Sequence, residues 1–181
     1  MGEIALAPVR KIGPNAHKQG PPVVLEYGTA PTKFGNCLAA FQAHGNTLCF
    51  LKFYDGEPPL GSLRQAWPNA TLHNDLLISS NIEKLFEGTV SYNLLLKGTD
   101  FEVEVWEALL RVKKGKTASY EDIAKAVGRP KAVRAVGRAV GKNPIAYVVP
   151  CHRVIKKNGA VYKYASGAER KKRLLEDEGA I

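Results

Sequence analysis

Across the first hundred residues the apolar positions come in short runs separated by Gly, Pro and polar clusters, and no strong helical period dominates. Residues 23–27, Gly35–Gln42 and residues 46–54 read as β-strands, the last two joined at His44-Gly45-Asn46 in a hairpin-like turn. Residues 60–67 and 75–86 carry helical patterning, and residues 92–96 read as a further short strand. Residues 1–20, with Pro and Gly and no period, read as a flexible or loosely packed arm. A small N-terminal domain is therefore expected over residues 21–97, ending near Lys97-Gly98.

After that boundary the pattern turns helical. Thr99-Asp100-Phe101-Glu102 has the spacing of a capping box, and Phe101, Val105, Ala108, Leu109 and Val112 then mark one apolar face up to Lys113-Lys114-Gly115. Ser119-Tyr120-Glu121-Asp122 is a second cap signal, followed by Ile123, Ala124 and Val127 before a stop at Gly128. Pro130 is suited to open the next helix, expected to run to about Lys142, because proline at the first helical position loses no needed N–H. Two helices joined by a few residues containing Gly form a helix-turn-helix candidate. In the second of them Val133, Val136 and Val140 form one stripe, with Lys131, Arg134, Arg138 and Lys142 almost opposite and Ala132, Ala135, Gly137, Ala139 and Gly141 on the flanks. A last helix is expected after a Ser166-Gly167-Ala168-Glu169 cap, with Leu174 and Leu175 facing inward. The fold class is α+β: a small N-terminal α/β domain followed by a mostly helical C-terminal domain over residues 98–181.

Charge sharpens this division. Residues 1–100 carry 8 Lys and Arg against 8 Asp and Glu, whereas residues 101–181 carry 18 against 9, so the whole formal charge of +9 lies in the C-terminal part. Such asymmetry suits a polyanionic partner for one half of the chain. Small residues beside a cationic helix face let its backbone approach DNA closely, which favours a DNA reader over a merely solvated face. At 181 residues and 45% apolar content the chain can bury one good core or two small ones. No apolar run approaches membrane-spanning length, and the first residues lack the continuous apolar segment of a secretory signal, so an intracellular, non-membrane protein is expected. Cys37, Cys49 and Cys151 are an odd number without a CxxC pair, which argues against a disulfide framework and a four-cysteine zinc site. Cys37 and Cys49 are expected in the core. With His17, His44 and His73 scattered singly, no metal site is expected.

Cys151 differs in its neighbours. A β-branched apolar run over residues 145–149, read as a buried strand, delivers Pro150-Cys151-His152-Arg153-Val154 at its end. A thiol reacts as its thiolate, so a cysteine meant to react needs a base or a cation nearby, and both follow immediately. A structural cysteine beside a solvated His-Arg pair is the ordinary alternative.

A reactive cysteine that follows a basic helix-turn-helix resembles the O6-alkylguanine-DNA alkyltransferases, also called methylated-DNA–protein-cysteine methyltransferases. Pro150-Cys151-His152-Arg153-Val154, Ser119-Tyr120, the segment Arg129-Pro130-Lys131-Ala132-Val133-Arg134-Ala135-Val136-Gly137, and Gly141-Lys142-Asn143-Pro144 carry the likeness. It is strong from about residue 99 to the end and weak over about residues 22–97. The resemblance implies a ribonuclease H-like N-terminal domain, a winged-helix-like C-terminal domain, and direct-reversal DNA repair by a monomer without cofactor or metal. An alkyl group on guanine O6, and more weakly on thymine O4, would pass once to Cys151 after the nucleotide leaves a duplex held through its minor groove. By position, Arg134 matches the arginine that fills the gap in the stack and Tyr120 the tyrosine that crowds the 3′ phosphate and later donates to the base. His152 would take the thiol proton through a water, Glu178 would hold the imidazole and balance its charge, and Asn143 would tie the helix-turn-helix to the active-site strand. Arg129, Lys131, Ala132, Val133, Ala135, Gly137, Arg138 and Lys157 complete the expected DNA surface, with Phe101, Arg129 and Lys157 at phosphate-contacting positions. Val140, Val154, Val161, Tyr164 and Ala165 join Tyr120 around the base pocket, where the carbonyls of Cys151 and Val154 would read the guanine amino group. The compartment implied is the cytoplasm of a prokaryote or the nucleus of a eukaryote.

Ala165 stands where a serine is common in the family, but a backbone N–H serves there. Ala146, Tyr162 and Ser166 replace Pro or Gly and point to a narrower pocket that takes methyl and small alkyl groups and admits benzyl poorly. A non-catalytic lesion binder or a winged-helix regulator would explain the basic helix and leave the cysteine block without a use, whereas a cysteine hydrolase would explain the block and not the helix.

Overall fold

The computed structural model describes residues 9–14, 23–43, 46–161 and 164–181. The expected turn at His44-Gly45, the pocket residue Tyr162, His17 and much of the expected arm lie outside these. The chain divides after Gly98 into two compact units, Met1–Gly98 and Thr99–Ile181.

The first unit is built on a six-stranded sheet in the order β1-β6-β4-β3-β2-β5. Its centre is an antiparallel meander of β2 (Val24–Thr32), β3 (Gly35–Gln42) and β4 (Thr47–Tyr54). β6 (Asn93–Lys97) lies parallel to β4, with β1 (Val9–Ile12) parallel to β6 at one edge and β5 (Thr71–Asn74) parallel to β2 at the other. Leu25, Leu38, Phe50, Leu63, Trp67 and Leu95 are at most 2% exposed and form one cluster. Burying each such side chain stabilises by roughly 1.5–3 kcal/mol. Two helices join the sheet, α1 (Leu60–Ala66) and α2 (Leu77–Glu87). Gly28 of β2 is what lets α2 approach, because a Cβ there would meet Ile78 Cβ at 2.8 Å. The arm expected over residues 1–20 is corrected in part, since Val9–Ile12 pairs in the sheet. Both strands without a sequence signal, β1 and β5, are four-residue edge strands with no fully buried side chain, two exposed in β1 and three in β5. An edge needs no continuous apolar face and is protected by charge and shortness.

The second unit holds α3 (Asp100–Leu110), α4 (Tyr120–Ala126), α5 (Val133–Gly141) and α6 (Ala168–Asp177), with a short parallel pairing of β7 (Ala118–Ser119) and β8 (Val154–Ile155). The predicted capping box forms, with Thr99 Oγ1 accepting from Glu102 N while Glu102 accepts from Thr99 N, and at the second cap signal Ser119 and Asp122 repeat the exchange. Caps of this kind are worth about 1 kcal/mol each. α3, α4 and α5 pack on one another, and the buried Trp106 donates through Nε1 to Ala139 O at 2.9 Å.

Three local expectations are corrected. α5 starts at Val133 and not at Pro130, because residues 129–132 close a turn in which Ala132 N donates to Arg129 O at 2.8 Å. Proline's fixed φ serves such a turn as well as a first helical turn. Ser166 does not cap α6 through its side chain; Gly167 takes that place with φ 96°. The run at residues 145–149 is buried but is no strand: Val149 N reaches back to Ile145 O at 3.0 Å and Tyr147 adopts φ 69°. Apolar content reports burial, and it does not separate a buried strand from a buried turn.

Candidate active site and nucleic-acid interface

The buried turn after α5 is organised by one amide. Asn143, 7% exposed, accepts from Ile145 N at 3.0 Å and donates through Nδ2 to Val149 O at 2.8 Å and to Cys151 Sγ at 3.0 Å. A single side chain thereby fixes the turn and aims a donor at the sulfur. Cys151 opens a 3-10 turn, Cys151–Arg153, placing the buried thiol and the fully buried His152 on adjacent residues. Burial raises the thiol's pKa, while Asn143, the Tyr164 hydroxyl and the positive charge of Lys171 oppose that rise.

His152 Nε2 lies 3.0 Å from Glu178 Oε1, at the C-terminal cap of α6. Arg153 grips the same carboxylate with two donors, Nε to Oε2 at 2.8 Å and Nη2 to Oε1 at 2.9 Å, and a third donor reaches Val112 O. Burial works against the charge on Glu178, but hydrogen bonds from His152 and Arg153 outweigh it and draw the carboxyl down to about 2. For His152, burial is the largest influence and lowers the pKa against the pull of Glu178. The resting pair is thus a carboxylate and a neutral imidazole. With Nε2–H committed to Glu178, Nδ1 carries the lone pair, and it is buried without a hydrogen-bonding partner among the described residues. This arrangement can take a proton from a nearby thiol, and Asn143 can stabilise the thiolate that results.

Cys151, His152, Glu178 and Asn143, predicted as one constellation, are brought together. Glu178 differs from the expectation in one respect: Arg153 already balances its charge. Tyr120 stands in the first turn of α4, its hydroxyl raised by burial and by the field of Cys151, and its ring faces Gly137 of α5. Arg134 and Arg138 on α5 and Lys131 in the preceding turn are exposed, while Ala132, Val133, Ala135 and Gly137 are half-buried beside them. Lys142, expected on the same cationic stripe, is drawn away to Glu102 at 2.7 Å. Arg129 lies over the ring of Phe101, 5.0 Å from its centroid, and pairs with Glu104 at 3.2 Å. The packed face of α5 is Val136, Ala139 and Val140, with Val133 only half-buried. Lys157 borders an open cavity of about 270 Å³ together with Lys125, Asp122 and Ser119. Of the pocket residues, Val140 and Val154 are buried, Val161 and Tyr164 half-buried, and Ala165 exposed.

Lys171 and Tyr147 have no role in the sequence reading, and Arg153, expected there as a cation for the thiol, grips Glu178. Lys171 is 1% exposed, donates to Val154 O, and is held down to about 8 by burial, against the opposing field of Cys151. The carbonyls expected to read a base therefore already have partners: Val154 O receives Lys171, and Cys151 O receives Val154 N. Lys171 falls three residues before Leu174, on the inward stripe of α6, and that spacing was the available signal. Among the described residues no three His, Cys, Asp or Glu side chains converge as a metal site.

Comparison with known proteins agrees with this chemistry. The model of the 6-O-methylguanine DNA methyltransferase, DNA binding domain, matches residues 100–180. The Escherichia coli bifunctional transcriptional activator/DNA repair enzyme Ada is 34% identical over 167 residues, which cover 88% of this chain and 47% of Ada. The chain thus spans about half the length of that relative. A probable methylated-DNA–protein-cysteine methyltransferase of Acanthamoeba polyphaga mimivirus is 49% identical over 104 residues, covering 55% of this chain and 68% of the viral protein. Among solved structures, Mycobacterium tuberculosis OGT in complex with DNA superposes with a TM-score of 0.67 at 35% identity, over 86% of this chain and 93% of that one. A cysteine cradled by an amide and a buried His-Glu pair, in a chain this similar along most of a solved relative, leads to one assignment: the chain belongs to the O6-alkylguanine-DNA alkyltransferase family.

Proposed function

We propose that this chain is a direct-reversal DNA repair enzyme, a methylated-DNA–protein-cysteine S-methyltransferase that acts once. The observation that carries the reading is the convergence on Cys151 Sγ of an amide donor from Asn143, with the buried His152–Glu178 pair beside it. His152 Nδ1 takes the thiol proton through a water. The thiolate then attacks the alkyl carbon in line, the sulfur–carbon bond forms as the carbon–O6 bond breaks, and the electron pair leaves with the guanine. Tyr120, a neutral phenol at neutral pH that burial makes still harder to ionise, donates a hydrogen bond to the departing base, which becomes neutral guanine by taking a proton from solvent as the imidazolium returns one. The product is a thioether, which water does not cleave under these conditions, so no group regenerates the thiol.

The substrate class is duplex DNA carrying O6-alkylguanine, with O4-methylthymine as a weaker one. α4 and α5 act as a helix-turn-helix in the minor groove, and small residues flanking the basic face permit the close approach. Arg134 enters the stack as the damaged nucleotide swings out, since an in-line attack on the O6 substituent is blocked inside the duplex. The ribonuclease H-like character of the first unit, the winged-helix-like character of the second and a monomeric state belong to the same proposal. So does a pocket suited to methyl and small alkyl groups; efficient labelling by O6-benzylguanine would remove that part of it.

Intact-protein mass spectrometry after incubation with a duplex holding one O6-methylguanine tests the whole reading. The expected result is one added methyl on the wild type, ending at one equivalent, with none on Cys151→Ala. Tight binding of the duplex without a mass change would replace it with a lesion-binding or regulatory role, and turnover beyond one event per chain would point to a hydrolase.

A further inference from the structure

The Tyr147 ring lies nearly parallel to that of His152 and beside it, with centroids 6.4 Å apart and planes inclined by 14°, a strongly offset placement within the range aromatic rings favour. It holds this place through a backbone its side chain disfavours: at φ 69° it is the only residue other than glycine in the left-handed region among the described residues. Glycine or asparagine would occupy such a turn at lower cost, and outliers of this kind persist where the surroundings require them.

We propose that Tyr147 is a positioning residue for the His152–Glu178 pair, its ring flanking the imidazole, fixing its angle toward Cys151 and keeping bulk solvent from it. The proposal rests on the reading of His152 as the base for Cys151. The Tyr147 hydroxyl is pushed up to about 12, by burial first and then by the charges of Glu178 and Asp177, with Arg153 opposing. It therefore stays protonated in the field of the acidic end of α6. The charged groups that act on the imidazole are Glu178, Arg153 and Lys171, and against Glu178 burial keeps the ring neutral. Taking the Tyr147 ring away admits water, weakens that burial and lets the imidazole climb toward its ordinary value.

Two readouts on the full chain test this. The first is the titration of His152 by NMR on histidine-labelled protein without DNA, assigned with His152→Gln. Tyr147→Phe should titrate as the wild type, whereas Tyr147→Gly and Tyr147→Asn, both compatible with a left-handed φ, should shift upward toward about 6.5. The second is single-turnover methyl transfer from an O6-methylguanine duplex at about pH 6 and pH 8. A base of pKa about 6.5 is roughly one quarter neutral at pH 6, so the ring-less variants should lose roughly fourfold more rate at the lower pH, and Tyr147→Phe should not. An unchanged His152 titration in a folded ring-less variant overturns the proposal. Should neither ring-less variant fold, the wild type still decides: an ordinary His152 titration, or no nuclear Overhauser contact between the Tyr147 and His152 rings, overturns it as well. Wild-type protein that shows the ring effects on titration yet moves no methyl would instead sink the alkyl-transfer reading and leave the placement of Tyr147 standing.

Discussion

Cys49 and Cys151 are both buried, 1% and 7% exposed, and burial raises both thiols, yet the groups around the two sulfurs differ in kind. Cys49, in the middle of the sheet, donates its S–H to Ala40 O at 3.3 Å, and burial drives its pKa far upward. There the proton is bound to a carbonyl and ionisation would leave a charge among leucines. Cys151 receives where Cys49 gives: Asn143 Nδ2 points a donor at its sulfur, and Lys171 adds a positive field. Burial alone favours an inert thiol, and the direction of the hydrogen bond at sulfur is what sets Cys151, the proposed nucleophile, apart from a core cysteine.

The sharpest way to break this contrast is to make one substitution at both sites. Cys151→Ser should abolish methyl acceptance as read by intact mass. Cys49→Ser should leave acceptance complete and cost about 1–3 kcal/mol of unfolding free energy, because a hydroxyl is bound less comfortably in an apolar sheet core. Asn143→Ala should come next in size. It removes the donor to Sγ, leaves Ile145 N unsatisfied and takes one of two donors from Val149 O, which keeps Cys151 N, so the single-turnover rate should fall by roughly 100-fold, on the scale of one lost charge-stabilising donor. Melting should show an additional loss of about 1–3 kcal/mol. Asn143→Ala with an unchanged rate would mean that the amide holds the turn and nothing more.

The two regions were also unequally legible in the sequence. In the second unit the capping boxes at Thr99 and Ser119 and the Cys151-His152 block are local patterns, and a local pattern survives reading in one dimension. Glu178 was reached through resemblance to a family, since nothing near residue 178 tells a surface carboxylate from one held by His152 and Arg153. The buried run before Cys151 misled because β-branched residues report burial, while its shape is set by Asn143 closing the turn and by Tyr147 in a left-handed conformation. In the first unit the central strands were legible because two buried faces leave a continuous apolar run. The edges β1 and β5 were not, since their partners are distant in sequence and neither has a fully buried side chain. Lys142 shows the same limit on the basic helix, where periodicity placed it among the DNA-facing cations and Glu102, forty residues earlier, claims it.

The charge pairing at Glu178 predicts how acid separates the two halves of the contrast. Its carboxyl falls from an ordinary 4.5 to about 2 on folding, and its side chain is only 5% exposed. A depressed carboxyl contributes stability above the unfolded value that is lost as pH falls through the folded one, so the loss should run from about pH 4.5 to about pH 2 and amount to roughly 3 kcal/mol. Below the ordinary histidine range, His152 adds a loss of the same sign, because the unfolded chain binds a proton that the buried ring resists. Thermal melts against pH should show this slope in the wild type and a shallower one in Glu178→Gln. An equal slope in both would place the acid sensitivity elsewhere.

The smallest expected effect separates two cations of one helix and its cap. Arg138 is exposed on α5, whereas Lys142 is bound to Glu102 at 2.7 Å. Removing a cation that neutralises a phosphate weakens binding to any duplex and lowers the slope of log affinity against log salt by about one. Arg138→Ala should show both effects in fluorescence anisotropy with undamaged duplex. Lys142→Ala should move the slope far less, because its charge is already partly balanced and breaking an exposed pair of this kind costs at most about 1 kcal/mol. Equal slopes for the two variants would mean that DNA pulls Lys142 from Glu102, and the cationic stripe drawn by periodicity would then describe the bound protein better than the free one.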